Sequence, residues 1–301
     1  MTGPSETRAG FVAIVGAPNV GKSTLLNRLV GAKVSIVSPK VQTTRARVLG
    51  IRIEGLTQLV FVDTPGIFQP RRRLDRAMVA AAWAGAADAD RVLVVIDAKA
   101  GLDADTLSII QRLKRAGRRV VAAINKIDLV KKPKLLSLAA AIDQTGIFTD
   151  TFMISALTGD GVADLLGHLA VAMPAGPWLF PEDQISDMPD RLTAAEITRE
   201  QIYLQLRQEL PYAAAVETQA WQERKDGSVR IEQTIYVEKA SQKAILLGKG
   251  GSRIKALGEA ARKEMEAIFG RRAHLFLFVK VAKKWGDDRE RYREFGLDFD
   301  A

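Results

Sequence analysis

Residues Gly16–Ser23 read GAPNVGKS, which fits the phosphate-binding pattern G-x-x-x-x-G-K-[ST]. The apolar run Phe11–Val15 comes directly before this stretch, and the apolar pattern Leu25–Val30 follows it. A strand that leads through a glycine-rich loop into a helix brings backbone N–H groups and a helix N-terminus around phosphates. The sequence therefore predicts a P-loop near the start of an α/β domain.

Two side chains of the predicted P-loop have specific roles in this chemistry. We expect Lys22 to reach the β- and γ-phosphates, which makes it a catalytic residue as well as a binding residue. The Ser23 hydroxyl is expected to ligate Mg²⁺. The expected nucleotide contacts in this region are Gly16, Asn19, Gly21, Lys22, Ser23 and Thr24.

A second motif, Asp63-Thr64-Pro65-Gly66, follows the apolar strand Leu59–Val62. The pattern D-x-x-G is common in proteins, but downstream of a P-loop it indicates a nucleotide switch. Asp63 is then expected to hold magnesium through water, and the N–H of Gly66 is expected to sense the γ-phosphate. Gly66 is thus predicted to be both a nucleotide contact and a catalytic residue.

Thr43 and Thr44 lie between the first predicted helix and the second predicted strand. GTPases carry a switch threonine at this point, and it closes on Mg²⁺ when the γ-phosphate is present. Either threonine fits, and both are expected nucleotide contacts. We favour Thr44 as the metal ligand and catalytic residue.

The motif Asn125-Lys126-Ile127-Asp128 follows the apolar strand Val120–Ile124 and indicates guanine as the base. A carboxylate at Asp128 can accept hydrogen bonds from the guanine N1–H and from the exocyclic amine. Adenine has no donor at N1, and the loss of such bonds costs about 2–4 kcal/mol. The sequence therefore predicts GTP and GDP as the ligands.

Other residues are expected to complete the base site. Asn125 would tie its loop to the P-loop, and the stem of Lys126 would pack on the base. Ser155 and Ala156, after the last strand of this half, can supply a backbone N–H to the guanine oxygen.

Hydrolysis in the isolated chain is expected either to be slow or to position its attacking water by other means. Ile67 stands two residues after Pro65, where Ras-like enzymes carry a glutamine that orients the attacking water. In related GTPases with an asparagine at the position of Asn19, a potassium ion beside the phosphates supplies positive charge. We hypothesise that Asn19 contributes a potassium ligand, and the alternative is a purely structural role in the loop.

The C-terminal third has a different order of elements: helix, strand, strand, helix, helix, strand. Its two last helices are joined by Gly248–Gly251, a G-x-x-G loop that contains Lys249. This order matches the type II KH arrangement, in which such a loop clamps about four nucleotides of single-stranded nucleic acid. The alternative for an isolated G-x-x-G is an ordinary turn between helices.

Charge supports the nucleic-acid interpretation of this loop. Residues 239–284 contain twelve Lys and Arg against three Asp and Glu, whereas residues 176–238 contain six against twelve. The charge alone could also be a solvated face, but here it is centred on the glycine loop. The expected RNA contacts are Lys243, Gly248, Lys249, Gly250, Gly251, Arg253 and Lys255.

Length and composition limit the kind of protein that this sequence can encode. A chain of 301 residues with 47% hydrophobic and 26% charged residues suits two globular domains. We predict a nucleotide domain at 1–174, a linker at 175–191 and an RNA-binding domain at 192–301. The absence of cysteine excludes disulfides and Cys-ligated zinc, and the N-terminus does not resemble a signal peptide. The protein is therefore expected in the cytoplasm.

Together these motifs resemble the Era family, in which a P-loop GTPase domain with a mainly parallel sheet precedes a small α+β KH domain of type II. Gln42-Thr43-Thr44-Arg45, Phe180-Pro181-Glu182-Asp183 and the stretch Arg207–Tyr212 also look like that family. The resemblance implies a monomer that binds the 3′ end of 16S ribosomal RNA in its GTP-bound state and assists assembly of the small ribosomal subunit. It further implies peripheral association with the inner membrane.

Two other functions fit parts of the sequence. One is a signalling or trafficking GTPase whose C-terminal domain binds protein or lipid, and the G-x-x-G loop argues against it. The other is a constitutive RNA chaperone in which GTP is only structural. Equal RNA affinity with GTP and with GDP would favour the chaperone.

Overall fold

The computed structural model describes residues 6–40, 47–70, 73–206, 210–283, 285, 289, 292 and 296–301. The chain forms two compact units. The first consists of Met1–Ser35, Thr44–Asp187 and Tyr292–Ala301, and the second consists of Ile36–Thr43 and Met188–Arg291. Among the described residues, no helix combines the length and the apolar character that crossing a bilayer requires.

The first unit contains a six-stranded sheet in the order β2-β3-β1-β4-β5-β6. Its strands are β1 (Arg8–Val15), β2 (Val48–Glu54), β3 (Thr57–Asp63), β4 (Arg91–Asp97), β5 (Val120–Asn125) and β6 (Phe148–Met153). Its helices are α1 (Lys22–Val30), α2 (Arg73–Asp88), α3 (Ala104–Arg115), α4 (Lys132–Asp143) and α5 (Val162–Val171).

The predicted mainly parallel sheet is confirmed. Only β2 runs antiparallel, against β3, and the other neighbouring strands are parallel. Every residue of β3 and β5 is buried, which is why these strands read as continuous apolar runs. Because parallel strands end at the same sheet edge, the loops after β1, β3, β4 and β5 meet there.

Two elements of this unit differ from the sequence-based expectation. Helix α2 was not predicted, because its alanine-rich sequence carries little apolar periodicity. Strand β6 begins at Phe148, whereas the sequence predicts the last strand of this half only over its apolar run Phe152–Ile154. Its residues are half-buried or exposed at the sheet edge, so β6 has no continuous apolar signal.

The segment 175–187, predicted to be part of a linker, lies along β2 and β3 of the first unit. Gln58 holds Leu179 and Phe180 by accepting their N–H groups at Oε1, at 2.8 and 2.9 Å. Further along, the Ile51 N–H donates to the carbonyl of Ile185 at 2.9 Å. The part of the predicted linker up to Asp187 therefore belongs to the first unit.

The second unit has the element order that the sequence predicted. It consists of α6 (Asp190–Gln205), β7 (Ala214–Glu223), β8 (Val229–Val237), α7 (Ala240–Leu247), α8 (Ser252–Phe269) and β9 (Ala273–Val281). Strand β8 is central, antiparallel to β7 and parallel to β9. Alternate residues of β8 are buried, so one face of the sheet forms the core with the helices. Leu246 and Leu257, from the helices beside the glycine loop, are fully buried in that core.

The unit boundaries do not follow the predicted domain boundaries at two places. Residues 36–40 lie with the second unit, where Glu200 Oε1 accepts the Val37 N–H at 2.7 Å and Lys40 donates to the carbonyl of Tyr203. The C-terminal residues Tyr292 and Leu297 belong to the first unit. They pack there against Ala77 and Met78 of α2.

Candidate nucleotide site and glycine-rich RNA loop

The P-loop connects β1 to α1 and folds back around the Lys22 ammonium. Lys22 Nζ donates to the carbonyls of Gly16 and Ala17, at 3.1 and 2.9 Å. Gly21 has a φ of 98°, which side chains other than glycine rarely adopt, and Asn19 has a φ of 61°. Burial lowers the pKa of Lys22 from 10.5 to about 8, although the nearby charge of Asp63 acts in the opposite direction.

Oxygen ligands suited to magnesium meet at the end of β3. The Ser23 hydroxyl donates to Asp63 Oδ2 at 2.8 Å, and Asp63 is fully buried. The Ser35 hydroxyl donates to the same oxygen at 3.0 Å, which the sequence did not predict. A hydroxyl and a carboxylate in contact form a donor set that fits Mg²⁺.

The D-x-x-G segment packs directly on the P-loop. A Cβ at Gly66 would lie 3.0 Å from Cα of Pro18, so a larger residue here would press on the P-loop backbone. The Ile67 N–H donates to the carbonyl of Gly16 at 3.1 Å, and its side chain is buried in the core of the first unit. Thr43 and Thr44, the predicted switch threonines, lie outside the described residues.

The base-recognition motif is connected to both neighbouring loops through Asn125. Its amide Nδ2 donates to the Val20 carbonyl at 2.8 Å, and its Oδ1 accepts the Ala156 N–H at 2.9 Å. The Ser155 hydroxyl donates to Asp128 Oδ1 at 2.6 Å. The N–H expected to meet the guanine oxygen is thus held by Asn125 in this structure.

Lys126 links the base motif to the P-loop and to β4. Its Nζ lies 2.6 Å from the carbonyl oxygen of Asn19 and 2.7 Å from Asp97 Oδ2. Burial acts to raise the pKa of Asp97, but the hydrogen bond from Lys126 and two backbone N–H bonds keep this pKa below its usual value. Asp97 belongs to none of the motifs found in the sequence. The available signal was a carboxylate directly after a buried strand of a nucleotide-binding sheet.

The structure brings most of the predicted nucleotide residues to one sheet edge. Thr24 is half-buried in the first turn of α1. The described residues of this cluster are Gly16, Asn19, Gly21, Lys22, Ser23, Thr24, Asp63, Gly66, Asn125, Lys126, Asp128, Ser155 and Ala156.

The predicted RNA loop lies between α7 and α8 of the second unit and is built on left-handed glycines. Gly248, Gly250 and Gly251 have φ values of 71°, 59° and 77°. A Cβ at Gly250 would meet nothing within 4 Å, so the loop surface is open at that point. Arg253 donates from Nη1 to the Ile245 carbonyl at 2.8 Å, which holds the loop across its base.

The side chains around this loop form a basic surface. Lys249, Arg253 and Lys255 are exposed, and Lys243 is half-buried. Ile245 is 48% exposed beside them, which provides apolar surface next to the positive charges. Close backbone approach, positive charge and apolar contact are the features that single-stranded RNA requires of a KH loop.

Comparison with known families matches both units. A family model described as "50S ribosome-binding GTPase" matches residues 11–126, and the KH domain model matches residues 209–286. GTPase Era of Rhizobium meliloti is 61% identical over 297 residues, covering 99% of this chain and 95% of the relative. GTPase Era of Brucella suis is 60% identical over 298 residues, with coverage of 99% and 96%.

Solved structures agree with these relatives. An Era variant of Aquifex aeolicus bound to GDP·AlF4⁻ superimposes with a TM-score of 0.91 at 41% identity, over 96% of this chain and 99% of the other. Era in complex with MgGDPNP and nucleotides 1506–1542 of 16S ribosomal RNA gives a TM-score of 0.92 at the same identity and coverage. With a P-loop GTPase domain, a KH domain and full-length relatives at about 60% identity, the chain belongs to the Era family of GTPases.

Proposed function

We propose that this chain is a GTP-hydrolysing switch that binds the 3′ end of 16S ribosomal RNA and assists assembly of the small ribosomal subunit. The observation that carries the proposal is the open loop Gly248–Gly251 in a basic surface, in a chain that also has a guanine-nucleotide site. An Era structure with 41% identity to this chain contains 16S nucleotides 1506–1542. RNA contact is assigned to Lys243, Gly248, Lys249, Gly250, Gly251, Arg253 and Lys255.

We propose that the nucleotide site recognises GTP both at its base and at its phosphates. At the base, Asp128 accepts the guanine N1–H and amine, and Ser155 orients that carboxylate through its 2.6 Å bond. At the phosphates, Lys22 exchanges its two loop carbonyls for phosphate oxygens. Thr43 and Thr44 complete the site from the switch segment, with Thr44 as the one that reaches the metal.

Magnesium fits the contact between Ser23 and Asp63. We assign Ser23 and Thr44 as direct ligands, and Asp63 as a ligand through water. The ion supplies positive charge to the phosphate oxygens during hydrolysis. The chain's own contribution is to hold the Ser23 hydroxyl at 2.8 Å from a fully buried carboxylate, which brings the two oxygen ligands together.

Hydrolysis is proposed to be slow without further help. Lys22 and the N–H of Gly66 contact the γ-phosphate, but Ile67 is buried and carries no group that can orient water. We propose that Asn19 adds a potassium ligand. Support comes from its place within the phosphate loop, where its backbone is left-handed with a φ of 61°.

We assign GTP binding and hydrolysis to a domain at residues 1–174 and RNA binding to a domain at residues 192–301. Residues 175–191 are the linker between these domains along the chain. The protein is proposed to act in the cytoplasm as a monomer, with peripheral association at the inner membrane. The full-length likeness to Era GTPases supports these assignments.

Two matched substitutions, one just before α8 and one just after it, test RNA binding. Gly250→Asp places a negative charge at the open loop, and Gly270→Asp places the same charge at the opposite end of the helix. Both glycines have positive φ, at 59° and 63°, and neither has atoms within 4 Å of an added Cβ. Affinity for a labelled RNA from the 16S 3′ end should fall at least about tenfold in Gly250→Asp and stay unchanged in Gly270→Asp.

Equal effects of the two substitutions would reject the loop as the RNA site. If the wild-type chain binds no RNA in either nucleotide state, the proposal is wrong. Flotation of the protein with liposomes in the absence of RNA would then support a lipid-binding C-terminal domain.

A further inference from the structure

Arg28 connects helix α1 to the loop that follows β6. It lies in the last turn of α1, the helix that begins at the P-loop lysine. Its Nε donates to the Ala156 carbonyl at 3.2 Å, and its Nη2 donates to the Leu157 carbonyl. One side chain therefore binds two successive peptide groups in the loop proposed to face the guanine oxygen.

A third residue of the same loop, Gly159, faces the Arg28 guanidinium. A Cβ at Gly159 would lie 3.7 Å from Nη1 and 3.8 Å from Cζ of Arg28. Gly159 also has a φ of 98°, and its N–H donates to the Ser155 carbonyl at 2.7 Å. The loop thus makes a tight turn, and the planar guanidinium of Arg28 lies next to that turn.

The remaining bonds of the loop point toward the base motif. The Ala156 N–H donates to Asn125 and the Ser155 hydroxyl donates to Asp128. In a planar trans peptide the C=O and the following N–H point in opposite directions. By holding the Ala156 carbonyl, Arg28 therefore also fixes the direction of the next N–H, that of Leu157, away from the guanidinium.

We propose that Arg28 is a positioning residue for guanine recognition, which orients the backbone N–H of Leu157 toward the guanine 6-oxygen. The proposal rests on the nucleotide site proposed above. It requires arginine rather than lysine, because a planar guanidinium presents donors in a fixed fork that can hold two carbonyls at once.

The test compares two ligands that differ at the 6-position of the base. GDP has an oxygen there, and 6-thio-GDP has a sulfur, which is a poor hydrogen-bond acceptor, while both keep N1–H and the amine. The full chain is measured as wild type, Arg28→Ala and Arg28→Lys. Arg115→Ala is the matched control, because it removes the same charge from the last turn of α3 at an exposed position.

Arg28→Ala should weaken GDP binding about fivefold and 6-thio-GDP binding by less than about twofold, so that discrimination between the two ligands falls. Arg28→Lys should give an intermediate loss, and Arg115→Ala should bind both ligands like wild type. A purely structural role would instead weaken both ligands equally, together with a lower melting temperature, and that result would overturn the proposal. Unchanged GDP affinity in Arg28→Ala would also overturn it.

The experiment separates this proposal from the nucleotide site on which it rests. If the wild-type chain fails to bind GDP, the nucleotide site itself is wrong and Arg28 has no base to position. If wild type binds GDP and Arg28→Ala leaves the ratio of the GDP and 6-thio-GDP affinities unchanged, the nucleotide site stands and the role of Arg28 is rejected.

Discussion

Lys126 Nζ lies 2.7 Å from Asp97 Oδ2, so the lysine of the guanine motif is paired with a carboxylate from the neighbouring strand. The pairing follows from the sheet, because Asp97 at the end of β4 is the register partner of Asn125 at the end of β5. Asp97 Oδ1 also accepts the N–H of Lys99 at 2.7 Å. The carboxylate thus holds the ammonium over the P-loop and fixes its own loop at the same time.

Replacement of this carboxylate should weaken nucleotide binding. Asp97→Asn keeps an oxygen for the backbone N–H groups but removes the charge that holds Lys126. The partly exposed ion pair is worth about 1 kcal/mol, so we expect GDP affinity to fall about fivefold. Isothermal titration of GDP measures this directly.

The control for that prediction is Asp143→Asn, which removes the same charge from an exposed position at the end of α4. Its affinity should equal that of wild type. If Asp97→Asn also binds GDP as wild type does, the ion pair has no part in holding Lys126 for the base.

The pKa of Lys22 predicts a proton uptake on nucleotide binding. In the nucleotide-free chain this pKa is lowered to about 8, whereas bound phosphates favour the charged ammonium. Binding at pH 8 should therefore take up about half a proton, and affinity should fall as the pH rises above 8. Calorimetry in buffers of different ionisation enthalpy measures the uptake. Binding heats that do not depend on the buffer would contradict it.

The P-loop glycine Gly21 should resist substitution for a steric reason. A Cβ there would lie 2.4 Å from Asn125 Nδ2, whereas a Cβ at Gly55 would meet nothing within 4 Å. Both have positive φ, so each alanine variant carries left-handed strain of about 1–2 kcal/mol.

Gly21→Ala should therefore lose GDP affinity by at least about tenfold, since it also displaces the amide that links the P-loop to the base motif. Gly55→Ala should lower only the melting temperature. Similar GDP affinities in the two variants would show that the contact with Asn125 does not support the site.

Potassium should accelerate hydrolysis through Asn19. Turnover in KCl should exceed turnover in NaCl at equal ionic strength by on the order of tenfold, because the cation supplies charge that an arginine finger supplies elsewhere. Asn19→Gly keeps the left-handed backbone of φ 61° but lacks the amide, so it should respond equally to both salts. Identical wild-type rates in the two salts would reject the hypothesis.

The elements that could be predicted from the sequence are those whose pattern lies within one short, contiguous stretch of residues. Gly16–Ser23 and Asn125–Asp128 are contiguous motifs, and buried parallel strands such as β5 read as unbroken apolar runs. The KH order was predictable for a similar reason, since β8 alternates buried and half-buried residues along its length.

The contacts that sequence did not predict join residues far apart in the chain. Arg28 reaches Ala156 across 128 residues, and Ser35 reaches Asp63 across 28. Neither has a motif, because an arginine or serine on its own is common at a protein surface. The sequence of segment 175–187 predicts a linker, because the bonds that order it, such as those to Gln58 and Ile51, come from distant residues that a local pattern does not reveal.

The most direct measurement of the central claim is the affinity of the full chain for RNA from the 16S 3′ end, in the presence of a non-hydrolysable GTP analogue and of GDP. We predict that the analogue strengthens RNA binding roughly 5- to 150-fold, the usual range of coupling between two sites. Equal affinities in the two states would contradict a nucleotide-gated switch and would indicate a constitutive RNA chaperone instead.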